Sequence, residues 1–218
     1  MKTTDPIFLI MLLAVLSLLP VIFIMSTSFV KISMVLILAR ESLGVQLVPP
    51  NIVLYGISLI LTLYIMGPVY KPGFTNLMQD MPLYSSGNNI TLIKKNLAPV
   101  TDNLKVFLAK HTRISDRQFF YQSLQKFWDK DMMQNISQTD LIILVPSFMV
   151  SEITAAFKIG FLIYLPSVII DIIVSNILMS IGMMMMSPVT ISLPIKLLLF
   201  VSLSGWERLV HVLLVSYS

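Results

Sequence analysis

Five of the charged side chains in the apolar stretches of this chain are the residues most able to do chemistry there. Glu152, Lys158 and Asp171 lie in or beside one apolar block, and Lys196 and Arg208 lie in the last one. A charge that faces lipid is costly, so these side chains are expected to face protein or water. Lys158 and Asp171 are about 220° apart on an ideal helix, which disfavours an ion pair within one helix. We expect partners on other helices or other subunits, as structural ion pairs or, alternatively, as a relay for protons or ions.

A run of four methionines lies between Gly182 and Pro188. Successive residues of an α-helix point about 100° apart, so no single helix face can use all four, and the flanking glycine and proline favour a turn. Methionine is a flexible apolar side chain, so the run is either a filler of a crowded membrane interior or, if several subunits present it to a common axis, a deformable seal that excludes water and ions by dewetting. The residues of this candidate seal are Met183, Met184, Met185 and Met186.

Patterns for catalysis, metal binding and cofactor binding are missing from the sequence. It contains no cysteine, its two histidines, His111 and His211, belong to no H-E-x-x-H pattern, and it has no G-x-S-x-G, P-loop or glycine-rich nucleotide motif. The net charge of +4 is too diffuse to indicate nucleic-acid binding. We therefore expect neither an enzyme nor a metal or cofactor site.

The elements that position these residues are apolar. Hydrophobic residues make up 56% of the 218 residues and charged residues 12%, and the mean hydropathy is +0.86, which is typical of a membrane protein. We predict an all-α membrane protein with about four long, broken apolar helices. The first block favours an uncleaved membrane helix over a cleavable signal peptide, because Asp5 dilutes its basic start and no small-residue cleavage site precedes Pro20. The four apolar blocks cover residues 7–25, 52–69, 141–186 and 191–215.

Prolines and glycines predict where these helices break. Asn51 is expected to cap the second block, which should end at Gly67-Pro68, and the third block should divide into a lead-in helix and a hydrophobic helix from about Ile159, bent near Pro166. The predicted break points are Pro49, Pro50, Pro166, Gly182 and Pro188.

Residues 70–140 form a polar insertion with nine Lys/Arg and six Asp/Glu. Within it, the spacing of the apolar residues over 115–130 predicts an amphipathic helix, which packs on its own hairpin or, alternatively, docks a partner. We divide the chain into apolar helices over 1–69, the insertion over 70–140 and a C-terminal helical hairpin over 141–218. Lys31 and Arg40 flank the first short connection and place it in the cytoplasm, so the insertion is expected on the opposite, periplasmic side. The apolar side of the predicted helix consists of Phe119, Phe120, Leu124, Phe127 and Trp128.

Two long strings resemble a known family. FKIGFLIYLPSVIIDIIVSNILMSIGMMMMSPVTISLPIKLLLFVSLSGW, from Phe157 to Trp206, looks like the C-terminal signature of the FliP/SctR family of type III secretion and flagellar export-gate proteins. FVKISMVLILARESLGVQLVPPN, from Phe29 to Asn51, looks like its N-terminal signature. The short N-terminus resembles the virulence-type members, and one departure is Ser204, where the family is expected to carry an acidic residue before Gly205.

The resemblance implies a pore subunit of the bacterial inner membrane that passes unfolded effector proteins. It implies a ring of five subunits, SctS-like and SctT-like partners in a helical funnel, an SctU-like switch protein and an export-gate ring. It also implies an assembled complex that projects toward the periplasm, in which the methionine run forms a gasket across the channel. A secondary transporter and a membrane scaffold without a pore are the alternatives. A transporter of the inverted-repeat kind would need related halves, and no convincing internal repeat is present.

Overall fold

The computed structural model describes residues 6–45, 47–80, 89–133, 136–183 and 185–218. Every regular element within these ranges is an α-helix, which confirms the predicted all-α fold. The helices are α1 (Pro6–Ser26), α2 (Phe29–Ser42), α3 (Asn51–Asp80), α4 (Asn89–His111), α5 (Ile114–Phe127), α6 (Lys130–Met133), α7 (Leu141–Ser180), α8 (Pro188–Ser202) and α9 (Gly205–Val215).

Two helices are long and apolar enough to cross a membrane: α3 over Asn51–Asn76 and α7 over Leu141–Ser180. The α8–α9 pair, bent by 61° at a short break, would form a further span, and so would the α1–α2 pair. Most of the apolar surface of the two long spans is exposed on the isolated chain. This surface has to be covered by lipid or by other chains.

The sequence predicts that the second apolar block ends at Gly67-Pro68, and this prediction is wrong. α3 continues through this dipeptide to Asp80. A proline removes one backbone donor, crowds the carbonyl four residues earlier and clashes with the Cβ of the preceding residue, and the last of these clashes is absent here because Gly67 has no Cβ. The helix therefore loses one hydrogen bond and continues into the polar insertion.

The predicted division of the third block is also wrong. α7 is a single helix of 40 residues that contains Pro166. At a rise of about 1.5 Å per residue it is about 60 Å long, roughly twice the hydrocarbon core of a bilayer. Pro166 removes one hydrogen bond from this helix but does not end it.

The chain packs as two units, one comprising residues up to Val30 and Val69–Val150, the other Lys31–Pro68 and Ser151–Ser218. In the first unit, Leu108 of α4 packs with Leu144 and Phe148 of α7. The rings of Phe107 and Phe148 lie 5.9 Å apart in a tilted arrangement. These contacts fasten the base of the insertion to the start of α7.

The helix α5 of the insertion is only partly covered. Phe120 and Leu124 are half-buried, whereas Phe119 and Phe127 are 63% and 83% exposed, and no residue of α5 is buried. The interpretation that this apolar side packs on its own hairpin is therefore wrong for Phe119 and Phe127. These two rings remain available for contact outside the chain.

Asp140 marks the start of α7. Its carbonyl oxygen accepts hydrogen bonds from the N–H groups of Ile143 and Leu144, at 2.9 and 2.8 Å. Its carboxylate accepts a 2.8 Å hydrogen bond from the Ser137 N–H and lies 3.5 Å from Lys105 Nζ. The Ser137 hydrogen bond and the nearby ammonium hold the pKa of Asp140 below its usual value. The ionised carboxylate thus fixes the loop that enters α7.

In the second unit the core is built on one face of α2. Its buried residues recur every three or four positions, as expected for a helix that packs one stripe against its neighbours. α7 approaches this helix closely at Gly160, where a Cβ atom would lie 2.4 Å from Leu38 Cδ1 and 3.1 Å from Leu38 Cβ. The absence of a side chain at Gly160 therefore sets the distance between α2 and α7. The core residues are Ile32, Val35, Leu36, Ala39, Leu54, Ala156, Leu209 and Leu213.

We predict that Gly160→Val lowers the free energy of unfolding by about 1–3 kcal/mol, because the new methyl groups overpack the contact with Leu38. Gly56→Val is the matched control, since no atom lies within 4 Å of a Cβ at Gly56, and its effect should stay below about 0.5 kcal/mol. Equilibrium unfolding in detergent, followed by tryptophan fluorescence, measures both. Equal stability of the two variants would contradict the close approach.

Candidate functional site

The end of α7 is closed by a Schellman motif. Gly182 has φ +78°, a left-handed conformation that glycine adopts without strain. The Met183 N–H donates to the Leu178 carbonyl at 3.0 Å, and the Gly182 N–H donates to the Met179 carbonyl at 3.1 Å. These two bonds are the pair that defines this helix ending. The glycine thereby directs the chain out of α7 and into the methionine run.

The methionine run lies in the turn between α7 and α8. Met183 and Met186 are 41% and 45% exposed, and Met185 is fully exposed. The Met186 N–H donates to the Met183 carbonyl at 3.3 Å, and α8 begins with Pro188 as its first helical residue. Met184 lies outside the described residues. The described thioethers of the run therefore project from the turn instead of filling the interior of the chain.

An ion pair connects the two helices that flank this turn. Lys196 Nζ of α8 lies 2.6 Å from Asp171 Oδ2 of α7. The Ser192 hydroxyl donates to Asp171 Oδ1 at 2.5 Å. Lys196 is buried, whereas the Asp171 side chain is 35% exposed. Asp171 and Lys196 are separated from the turn by similar numbers of residues along α7 and α8. Their ion pair therefore holds the two helices together at some distance from the methionines.

A second group of polar side chains is more completely buried than the Asp171–Lys196 pair. Lys31 Nζ of α2 lies 3.2 Å from Glu152 Oε1 of α7. The Tyr217 hydroxyl donates a hydrogen bond to Glu152 Oε2, and Lys31 Nζ lies 3.6 Å from the centre of the Tyr217 ring. All three residues are buried, with exposed fractions of 4%, 2% and 8% for Lys31, Glu152 and Tyr217. The carboxylate thus receives a charged and a neutral donor, and the ammonium also lies over an aromatic face.

The remaining predicted charges are placed differently. Lys158 and Arg208 are exposed on the isolated chain. Lys158 and Asp171 do not pair with each other, in line with their separation around α7. Among the described residues, no group of three or more His, Asp or Glu side chains is placed to hold a metal ion. The five predicted charges therefore comprise Glu152, which pairs with Lys31, the Asp171–Lys196 pair and two outward-facing cations.

Three participants were not predicted from the sequence. Lys31 and Tyr217 complete the Glu152 group, although from the sequence Lys31 indicates only which side of the membrane its loop lies on. Arg40, the other topology marker, is buried and donates to the Pro49 carbonyl at 3.1 Å and to Asn51 Oδ1 at 2.6 Å. The position of Lys31, alone in an apolar run, was the signal that could have identified it as a buried partner.

Pro49 and Pro50 lie in the connection before α3, as predicted. The Pro50 carbonyl accepts hydrogen bonds from the N–H groups of Val53 and Leu54, at 3.0 and 3.3 Å, so Pro50 occupies the N-cap position expected for Asn51. The Asn51 side chain instead receives the hydrogen bond from Arg40. Arg40, near the end of α2, therefore holds the proline linker where it joins α3.

We predict that Glu152→Gln destabilises the protein by about 3–5 kcal/mol, because it leaves the Lys31 ammonium buried without a counter-charge. The double variant Lys31→Met with Glu152→Leu should recover most of this loss, since it removes both buried charges. Lys126→Met, which alters an exposed cation of α5, is the control and should change stability by less than about 0.5 kcal/mol. Thermal unfolding in detergent measures all three, and a single variant as stable as the double variant would refute the pairing.

Comparison with known proteins gives a consistent result over nearly the whole chain. A model of the FliP family matches residues 12–213. The chain is 47% identical to the Yop proteins translocation protein R of Yersinia pestis, over 98% of this chain and 97% of the relative. It is 42% identical to the Harpin secretion protein HrcR of Erwinia amylovora, over 98% of this chain and 97% of the relative. It is also 42% identical to the Virulence protein YscR of Salmonella typhimurium, over 98% of each chain. The chain therefore belongs to the FliP family.

Proposed function

We propose that this protein is a non-enzymatic pore subunit of a type III secretion export apparatus, which passes unfolded effector proteins across the bacterial inner membrane. The relatives are named for translocation and secretion, which supports a role in protein export. The observation that carries the proposal is the exposed methionine turn at the tip of two apolar helices, braced by the Asp171–Lys196 ion pair.

A single turn cannot close a channel, so the proposal requires several copies around one axis. The long spans support this requirement, because most of their apolar surface is exposed on the isolated chain. In the assembly this surface packs against neighbouring copies and against SctS-like and SctT-like subunits. An SctU-like switch protein and an export-gate ring are further partners in the proposal. The ring contains five copies, and it projects toward the periplasm.

The proposed seal works by excluding water. Thioether side chains have no strong hydrogen-bonding group, so a constriction lined by them is poorly wetted and resists the passage of ions. The side chains are unbranched and flexible, so they can rearrange around a passing polypeptide. Met183, Met184, Met185 and Met186 form this seal.

Lys158 is the proposed contact with a neighbouring subunit. Glu152, Asp171 and Lys196 have partners within the chain, whereas Lys158 is an exposed cation on the longest apolar helix. A cation at this position is costly in lipid and favourable beside a carboxylate of another subunit. This paired arrangement also disfavours a transporter function, because the internal carboxylates are engaged in structural pairs.

We predict that alanine at positions 183–186 makes the closed assembly conduct ions, because the shorter side chains no longer meet at the axis. Leucine at the same positions should keep the assembly tight, because it preserves the apolar volume. Met78 and Met132 are exposed methionines of the other unit, and their alanine variants are the control. Conductance of the purified assembly in planar bilayers gives the comparison. Unchanged tightness of the alanine variant would contradict the seal and favour a scaffold without a pore.

We also predict that the purified protein is an oligomer. The exposed apolar helices leave a single copy with a surface that detergent alone has to cover. Native mass spectrometry in a mild detergent should give a mass of several copies, with five as the expected number. A stable monomer under these conditions would argue against a shared axis.

A further inference from the structure

A small pocket in the second unit lies between α2 and α7. Its volume is about 190 Å³, below the usual range of pockets that bind small ligands, so it suits a single side chain better than a ligand. Three of its lining residues are aromatic side chains of α7. The residues that line it are Leu38, Glu41, Phe157, Gly160, Phe161 and Tyr164.

Glu41 is the charged member of this lining. It lies near the end of α2 and is exposed, whereas its neighbour Arg40 is buried and engaged by the proline linker. Within the part of the chain that the structure describes, no ion pair or side-chain hydrogen bond involves Glu41. A carboxylate beside aromatic rings is costly once water is excluded. Glu41 therefore requires a cation when another chain covers this face.

Lys158 has the opposite requirement. It is an exposed cation of the same unit, and over the described ranges its ammonium takes part in no ion pair or hydrogen bond. Glu152 and Asp171, the acidic residues nearest to it along α7, already have partners within the chain. Arg208, the other outward-facing cation, directly follows the exposed carboxylate of Glu207. Lys158 is thus the cation with the greatest need for a carboxylate from outside the chain.

Lys158 and the pocket lie on different sides of α7. Lys158 is not among the residues that line the pocket of its own chain. The four α7 residues that do line it are centred about 110° from Lys158 around an ideal helix. One chain therefore presents the cation on one side and the carboxylate pocket on another.

The two charges lie at similar heights along the helices. α2 and α7 run in the same direction, because the buried ion pair of this unit joins earlier residues of both helices and Leu38 lies beside Gly160. Glu41 follows Leu38 by three residues, whereas Lys158 precedes Gly160 by two. This difference of about five residues corresponds to about 7.5 Å along the axis, which two long side chains can bridge.

We propose that Lys158 of each copy enters the Glu41 pocket of a neighbouring copy in the assembly. This contact rests on the proposed function, because it needs several copies around one axis, and it names the carboxylate that Lys158 meets. A closed ring of identical chains requires two different, complementary surfaces on each chain. The aliphatic part of the lysine packs along the aromatic wall, and its ammonium pairs with Glu41 away from water, where the attraction is stronger than at an open surface.

Charge reversal in the purified assembly tests the pair. Glu41→Lys and Lys158→Glu should each weaken the association of the copies about tenfold or more, because each places like charges at the contact. The double variant Glu41→Lys with Lys158→Glu should restore most of the oligomer, because it reverses the pair. Glu41→Lys combined with Arg208→Glu is the matched control and should restore nothing. Native mass spectrometry over a range of protein concentrations gives the oligomer fraction.

Cross-linking is a second measurement that does not require the charge-reversed chains to fold. The chain contains no cysteine, so Glu41→Cys and Lys158→Cys each introduce a single thiol. When the two variants are co-expressed, a short bis-maleimide should join them into a covalent dimer. Each chain carries one thiol, so every link lies between chains. Either variant alone should give no dimer.

Three results would overturn the contact while leaving the proposed pore intact. The first is a full oligomer in both single charge reversals, and the second is rescue of Glu41→Lys by Arg208→Glu instead of Lys158→Glu. The third is the absence of a dimer from the co-expressed cysteine variants although the wild type is an oligomer. A wild-type monomer, by contrast, would overturn the shared axis and this contact together.

Discussion

A charge surrounded by apolar side chains is stable only beside a partner, and this requirement ties the helices of the second unit together. Lys31 and Glu152 lie in contact although they are 121 positions apart in the sequence. Each would be costly alone, because taking a charge out of water is repaid only by close contact and additional hydrogen bonds. Tyr217 supplies such a bond and covers the ammonium with its ring. The pairing fixes the relative position of α2, α7 and the segment after α9, and the apolar core packs around it.

The second constraint is the apolar surface that the folded chain leaves exposed. The α2 stripe is fully covered within the chain, yet the long spans and several side chains of α8 remain exposed. In an ordinary soluble domain this much exposed apolar surface would cause aggregation. In a member of the FliP family with helices apolar enough to cross a membrane, lipid or other chains have to cover it. The isolated fold therefore leaves apolar surface for other chains or lipid to cover, while the Asp171–Lys196 pair holds α7 against α8 within the chain itself.

Local features could be predicted from the sequence, and distant pairings could not. Gly182 and Pro188 have backbone restrictions of their own, so the turn between α7 and α8 could be read from residue types. Proline alone was a poor guide to helix ends: Pro68 and Pro166 lie inside continuous helices, because each removes one bond from a ladder of many. The partner of Glu152 depends on the tertiary fold, and the sequence around an isolated lysine in an apolar run does not indicate which carboxylate it contacts. Asn51 shows the same limit, because a tertiary contact with Arg40 engages the side chain that local rules assigned to capping.

The Schellman ending of α7 has a kinetic consequence. Two backbone hydrogen bonds and the first proline of α8 hold the main chain on either side of the methionines. In the proposed channel, changes in the width of the methionine constriction would come from rotation about side-chain bonds, without melting a helix or sliding one past another. Exposed side chains change rotamer in picoseconds to nanoseconds, whereas collective helix movements take microseconds or longer. A methionine seal of the proposed kind would therefore adjust to a passing chain faster than its helices can move.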